Sequence, residues 1–252
     1  MTADNERAEL HKTIWRIAND LRGSVDGWDF KSYVLGFLFY RFISENLTEY
    51  VNASERDAIL ADGGSVDEAN AFDYAVLSDE VAESDRAGII KDKGFFIRPS
   101  DLFANVRTRA ASDENLNETL AQAFRSIEDS AKGSGSESDL RGLFDDVDVN
   151  ATKLGNTVAE RNAKLVKIME SIGDLPLDHG SAKIDAFGDA YEFLMKMYAS
   201  SAGKSGGEFY TPQEVAQVLA MIAADGRKKV SRVYEAFNLT WIQNGDTVAL
   251  AT

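Results

Sequence analysis

With 252 residues, 44% hydrophobic and 10% aromatic, the chain has room for one large domain or two small ones and enough apolar side chains for a core, which excludes wholesale disorder. It has no cysteine, so disulfide frameworks and thiolate metal sites are excluded and a cytoplasmic location is expected. The net charge of −15 lies in residues 1–199, where 22 Lys+Arg face 37 Asp+Glu, and such an acidic body repels phosphate backbones, so strong nucleic-acid binding by this chain alone is not expected.

The N-terminus, Met1-Thr-Ala-Asp-Asn-Glu-Arg7, has neither a basic start nor an apolar run and reads as no secretory signal. Leu10, Ile14, Ile17, Ala18 and Leu21 recur at helical spacing and predict a first amphipathic helix ending near Gly23. A second helix follows Asp26-Gly27 and carries the dense apolar set of Tyr33–Tyr50. Its longest apolar stretch, Tyr33–Ile43, is broken by Gly36 and Arg41. It falls short of the roughly 18–20 residues of a membrane span, so a buried helix and no membrane contact are expected. Residues 52–93 are acidic and read as short helices joined by exposed loops. Gly94-Phe-Phe-Ile-Arg-Pro99 reads as a short extended segment, because the residue before a proline avoids the helical region. Ser100 is expected to cap a helix with Leu102, Phe103 and Val106 inside.

Leu116, Leu120, Phe124 and Ile127 predict a further helix, running into Lys132-Gly-Ser-Gly-Ser-Glu-Ser138, which reads as a flexible linker. Thr157 and Glu160 form a capping box, with Leu165, Ile168, Met169 and Ile172 as the buried face behind it. Ile184, Phe187, Tyr191, Leu194 and Tyr198 give another helical stripe before Gly203. The two histidines, His11 and His179, lack ligand spacing and read as surface or helix-end residues. Lys229–Tyr234 is a short β-branched run, the first convincing strand.

The segment Gly206-Gly-Glu-Phe-Tyr-Thr-Pro-Gln-Glu214 is the richest in functional information. Thr211 suits an N-cap, Pro212 the first helical position, and Glu214 the return bond of a capping box. Val215, Val218, Leu219 and Ile222 then make one apolar face. A helix N-terminus with free N–H groups, held on a glycine loop beside two aromatic rings, can take a carboxylate or phosphate and stack a planar ring. A well-capped surface helix after a linker has the same pattern. The cluster Arg227-Lys-Lys229 with Arg232 reads as a solvated helix end rather than a DNA patch.

Several stretches together resemble the N-terminal part of the modification (methyltransferase) subunit of type I restriction-modification systems. They are Leu10-His-Lys-Thr-Ile-Trp15, Asp29-Phe-Lys-Ser-Tyr-Val-Leu35, Gly94-Phe-Phe-Ile97, Gly142-Leu-Phe-Asp145, Gly188-Asp-Ala-Tyr-Glu192 and Gly206-Gly-Glu-Phe-Tyr-Thr-Pro212. The resemblance implies a mainly α chain, with a multi-helix N-terminal domain over 1–202. The start of a Rossmann-like α/β methyltransferase domain then follows over 203–234. It implies adenine-N6 methylation of DNA with S-adenosylmethionine in the complete enzyme, and it makes Glu208, Phe209, Tyr210, Thr211, Pro212 and Gln213 the cofactor-binding candidates. The partners implied are a specificity subunit, a second methyltransferase subunit and the restriction (motor and nuclease) subunit, with DNA reached through the complex.

The sequence also departs from that pattern. After Tyr234 comes Glu235-Ala-Phe-Asn-Leu239 where the family has a glycine-rich cofactor turn. The three prolines, Pro99, Pro176 and Pro212, are never adjacent, so the Asn-Pro-Pro-Tyr/Phe motif is missing. Residues 235–252 read as a tail foreign to the family, and no catalytic residue is assigned. This chain alone is expected to be inactive, with weak or no cofactor binding, and to serve assembly and DNA clamping. The alternative is a stand-alone acidic interaction protein or DNA mimic. Its densest acidic segments, Asp62–Asp92 and Glu137–Asp148, read as loops, which disfavours the ordered carboxylate surface that mimicry requires.

Overall fold

A computed structural model describes residues 29–175 without interruption, together with positions 8, 11, 12, 14, 188, 190, 192, 193 and 218–222. The chain divides into two compact units, Met1–Leu194 and Met195–Thr252. Among the described residues all regular structure is helical, in agreement with the mainly α reading.

Helix α1 (Asp29–Ala61) is the central element. Gly36 and Arg41 do not break it, and it continues about eleven residues past Tyr50 into the stretch that reads as loops and short helices. Tertiary packing overrides the local glycine penalty here. Tyr33, Val34, Phe37, Leu38, Tyr40, Ile43 and Leu47 on α1 are all buried. Gly36 lets Val147 approach, because a Cβ on Gly36 would fall 2.3 Å from Val147 Cγ2. Beyond α1 come α2 (Val66–Ala71), α3 (Asp79–Ser84) and α4 (Arg86–Lys93). Ser65 and Glu68 form a capping box on α2, and Ser78 caps α3. Gly94, at φ 85°, closes α4 in the left-handed region that favours glycine.

Phe95, Phe96 and Ile97 follow outside any helix and are buried, and Arg98 is extended at φ −63° and ψ 148°, as expected of the residue before a proline. Pro99–Asp101 is a 3₁₀ turn, and α5 spans Phe103–Ala110 with Leu102, not Ser100, at its N-cap. Ser100 is engaged elsewhere. Its N–H donates to Asp79 Oδ1 at 2.9 Å and its hydroxyl to Asp79 Oδ2 at 2.6 Å, a partner 21 residues away that local spacing cannot reveal. Leu102, Phe103 and Val106 are buried as expected.

Helix α6 (Leu116–Ser130) buries Leu116, Leu120, Phe124 and Ile127. The Lys132–Ser138 stretch, read as a flexible linker, is a hydrogen-bonded turn leading into the short α7 (Glu137–Leu140). Gly133 N–H donates to Glu137 Oε2 at 2.9 Å and Ser134 Oγ donates to Gly94 O at 2.9 Å. Glycine and serine here serve a turn rather than a tether. Helix α8 (Val158–Gly173) carries the Thr157–Glu160 capping box and the buried face Leu165, Ile168, Met169 and Ile172, both as predicted.

The core is an aromatic cluster between α1, α5, α6 and the 142–145 turn. Phe124 stacks on Phe144 at 4.2 Å between centroids, and Tyr40 meets Phe103, Phe124 and Phe144 edge-on. Such geometries are favoured by the ring quadrupoles. Buried tyrosine hydroxyls then pin the connecting segments: Tyr33 donates to Asp148 O, Tyr40 to Asp101 O and Tyr74 to Ile97 O. Among the described residues no helix is long and apolar enough to cross a membrane. Position 11 is helical, as the Leu10–Leu21 stripe predicts, and His11 stacks on Phe193 with centroids 4.3 Å apart. His179 and the 229–234 strand lie outside the described residues.

Candidate functional site

The cofactor candidates Glu208, Phe209, Tyr210, Thr211, Pro212 and Gln213 lie outside the described residues. Just beyond them residues 218–222 are helical, as the 206–214 capping pattern predicts. Val218, Leu219, Met221 and Ile222 on that helix are all about half exposed or more.

Within the described helical unit, burial foremost and then Asp79 raise the Asp101 carboxyl, while most other side chains with shifted protonation equilibria have bonded partners. Burial foremost pushes the Tyr40 and Tyr74 hydroxyls far up, and both donate to backbone carbonyls. Glu68 is lowered by the backbone N–H and hydroxyl of Ser65. Glu83 is lowered by Arg86, and Glu137 by the Gly133 N–H and then Arg141. These groups cap, pin or pair. Among the described residues no cluster of His, Cys, Asp or Glu could hold a metal ion.

One hollow among the described residues, about 580 Å³, is lined by Arg86, Lys91, Lys93 and Lys132 with Asp92 and Asp129 among others. Three of its four cations already have partners: Arg86 pairs with Glu83, Lys132 with Asp129, and Lys93 donates to Asn46. A cluster of polar contacts around one buried arginine lies where α8 ends. Arg41, only 8% exposed, reaches from α1 and donates through Nη1 to the carbonyls of Ile172 (2.7 Å) and Leu175 (2.8 Å). Its Nε bonds Glu45 Oε1 at 2.6 Å. From α5, Arg107 donates through Nη2 to Glu170 Oε2 at 2.8 Å and to Asp174 Oδ1 at 2.5 Å. Burial works against the Arg107 charge, but bonds from Glu170 and Asp174 outweigh it and hold the proton more tightly. Carbonyls at a helix C-terminus lack intrahelical donors, and cations there also complement the helix dipole. The sequence marked Arg41 only as an interruption. An arginine amid an apolar helical run is the one signal that could have exposed its role, since a buried guanidinium needs acceptors.

Relationships to known proteins place the chain. Residues 10–172 match the HsdM N-terminal domain family, and residues 182–236 match the N-6 DNA Methylase family. The chain is 47% identical over 238 residues to the type I restriction enzyme MpnII methylase subunit of Mycoplasma pneumoniae, an alignment covering 91% of this chain and 42% of that protein. Its fold is similar to the crystal structure of the type I restriction-modification system methyltransferase subunit from Streptococcus thermophilus. The TM-score is 0.67 at 32% identity, over 88% of this chain and 44% of the other. The chain thus spans about two fifths of the length of the curated relative it matches. The helices α1–α8 fall within the first match except for Gly173, the last residue of α8. The chain belongs to the HsdM N-terminal domain family of type I restriction-modification methyltransferase subunits.

Proposed function

We propose that this chain forms the helical front part and the opening cofactor segment of a type I DNA methyltransferase subunit. In the complete enzyme, S-adenosylmethionine supplies a methyl group for the exocyclic N6 of adenine. The observation that carries this reading is the succession, in one chain, of an HsdM N-terminal domain match over 10–172 and an N-6 DNA methylase match over 182–236. The helical domain serves assembly with a specificity subunit, a second methyltransferase subunit and the restriction subunit, and closes around DNA that those partners hold. Glu68, Glu83, Glu137, Tyr40 and Tyr74, whose protonation is shifted, each cap a helix, pin a segment or pair with a charge, which fits a scaffold role.

In this reading Glu208 to Gln213 would form one wall of the cofactor site of the complete enzyme. Phe209 and Tyr210 pack on the cofactor, and Thr211 caps the helix whose N–H groups face its carboxylate. The chain by itself has no adjacent prolines and so no Asn-Pro-Pro-Tyr/Phe loop to hold an adenine. Methyl transfer by this chain alone is therefore not expected.

The test is to make Tyr210→Ala and Thr211→Ala in the complete subunit and measure cofactor affinity and thermal midpoint for each. Tyr210→Ala should weaken affinity more than stability, whereas Thr211→Ala should cost about 0.5–2 kcal/mol of local stability by loss of the cap. Unchanged cofactor affinity in the Tyr210 variant would remove the cofactor role from this segment.

A further inference from the structure

We infer that the hollow between the ends of α4 and α6 is a phosphate-contact site, where the helical domain grips the backbone of duplex DNA held by the assembled enzyme. This deepens the methyltransferase reading above and rests on it. The charge of the chain changes sign there. Residues 45–85 hold 12 Asp+Glu against one Lys+Arg, whereas residues 86–93 hold three Lys+Arg against one Asp+Glu. Lys132, just past α6, brings a fourth cation to the same hollow of about 580 Å³. Helix dipoles account for Lys91 and Lys93 in the last turn of α4, but not for Arg86, which opens that helix at the end where a cation is disfavoured.

The donors at the hollow are available to an anion. Lys91 Nζ, Ser136 Oγ and the Gly135 N–H have no acceptor among the described residues. Lys93 donates to Asn46, which is neutral and leaves its charge in place. Lys132 pairs with Asp129, but the two side chains are 70% and 62% exposed, and so exposed a pair is weakly held. The other carboxylate, Asp92, accepts the Tyr50 hydroxyl at 3.0 Å.

The floor of the hollow is small-residued and fixed. Ser134 Oγ donates to Gly94 O at 2.9 Å, and a Cβ on Gly94 would strike Ser136 Oγ, so the 133–136 turn lies hard against the end of α4. Among the described residues no aromatic ring lines the hollow. Cations set among glycines and serines, with no ring to stack a base, suit a phosphodiester rather than a nucleobase. One or two such contacts give little affinity by themselves. The acidic chain alone therefore still binds DNA weakly, and the site acts once partners hold the duplex.

The test uses the complete subunit assembled with its specificity subunit, and a duplex fragment of unmodified genomic DNA. Wild type is compared with Lys91→Gln/Lys132→Gln, with Asp129→Asn, and with Arg56→Gln/Arg125→Gln, which removes two charges that do not line the hollow. Fluorescence anisotropy over a salt series gives DNA affinity, with thermal midpoints and labelled methyl transfer measured on the same preparations. The lysine double variant should lose about tenfold in affinity at physiological salt, and its plot of log affinity against log salt should flatten by about one to two in slope. Asp129→Asn frees Lys132 and should tighten binding about two- to fivefold, a gain that misfolding cannot imitate. The Arg56/Arg125 variant should keep the wild-type slope. A wild-type slope in the lysine variant, or an equal fall in the arginine variant, would overturn the contact, while methyl transfer by the wild type upholds the methyltransferase reading. Should the lysine variant fold poorly, Asp129→Asn decides by itself, and unchanged affinity there overturns the contact. Inorganic phosphate binding the wild type more tightly than about millimolar, with the DNA slope unmoved in the lysine variant, would make the hollow a small-anion site and overturn the DNA contact. A wild-type assembly that neither binds duplex DNA nor transfers methyl groups would overturn both readings.

Discussion

Replacing Gly36 with Ala sets local propensity against tertiary packing. Gly36 lies inside α1, where alanine is favoured over glycine by about 0.8–1.0 kcal/mol. On propensity alone the substitution stabilises the chain. In the fold, the new Cβ would sit 2.3 Å from Val147 Cγ2, with Val147 Cβ at 3.5 Å and Cγ1 at 3.7 Å. Val147 cannot move aside easily. It is buried, β-branched, and held by its N–H to Phe144 O at 2.8 Å, while the next residue receives the Tyr33 hydroxyl. Overpacking of this kind costs about 1–3 kcal/mol. Subtracting the propensity gain leaves a net destabilisation of about 0–2 kcal/mol, close to 1 kcal/mol. Urea denaturation of the chain followed by circular dichroism measures it. The double-mutant cycle with Val147→Ala isolates the clash: in that background Gly36→Ala should recover up to about 1 kcal/mol, giving a coupling of about 1–3 kcal/mol. A Gly36→Ala variant that is more stable than wild type, or effects of the two substitutions that add within about 0.5 kcal/mol, would refute the close docking of the 144–148 turn on α1.

Thr157→Ala removes the hydroxyl that accepts the Glu160 N–H, at 3.2 Å, and should cost about 0.5–2 kcal/mol in the same urea assay. Ser65 holds Glu68 below the ordinary glutamate value of 4.5, its backbone N–H contributing most. A lowered folded value means that the contribution is fully present above about pH 4.5 and is lost as pH falls through the folded midpoint. NMR titration should therefore place the Glu68 midpoint below that of an exposed glutamate, and the stability difference between wild type and Glu68→Gln should shrink on acidification. With a net charge of −15, the chain alone should bind duplex DNA more weakly than about micromolar at physiological salt, and fluorescence anisotropy giving submicromolar affinity would contradict the charge argument.

Features determined within a few residues were legible in the sequence. The Thr157–Glu160 box, the buried stripes of α6 and α8, the extended residue before Pro99 and the apolar face of α1 all depend on spacings of roughly one to four positions. The same kind of local stretch, from Leu10-His-Lys-Thr-Ile-Trp15 to Gly206-Gly-Glu-Phe-Tyr-Thr-Pro212, also carried the family resemblance. Tertiary structure alone decided what each interruption of those patterns is for. Gly36 admits Val147 from a distant turn, and Ser100 serves Asp79 instead of a helix start. The glycines and serines of 132–138 form a bonded turn under Gly94. Arg41 finds its acceptors 131 and 134 residues along the chain. Caps and stripes are satisfied by neighbours in sequence. A buried guanidinium or a bare glycine is satisfied by whatever the fold brings across from elsewhere, and linear spacing carries no record of that partner.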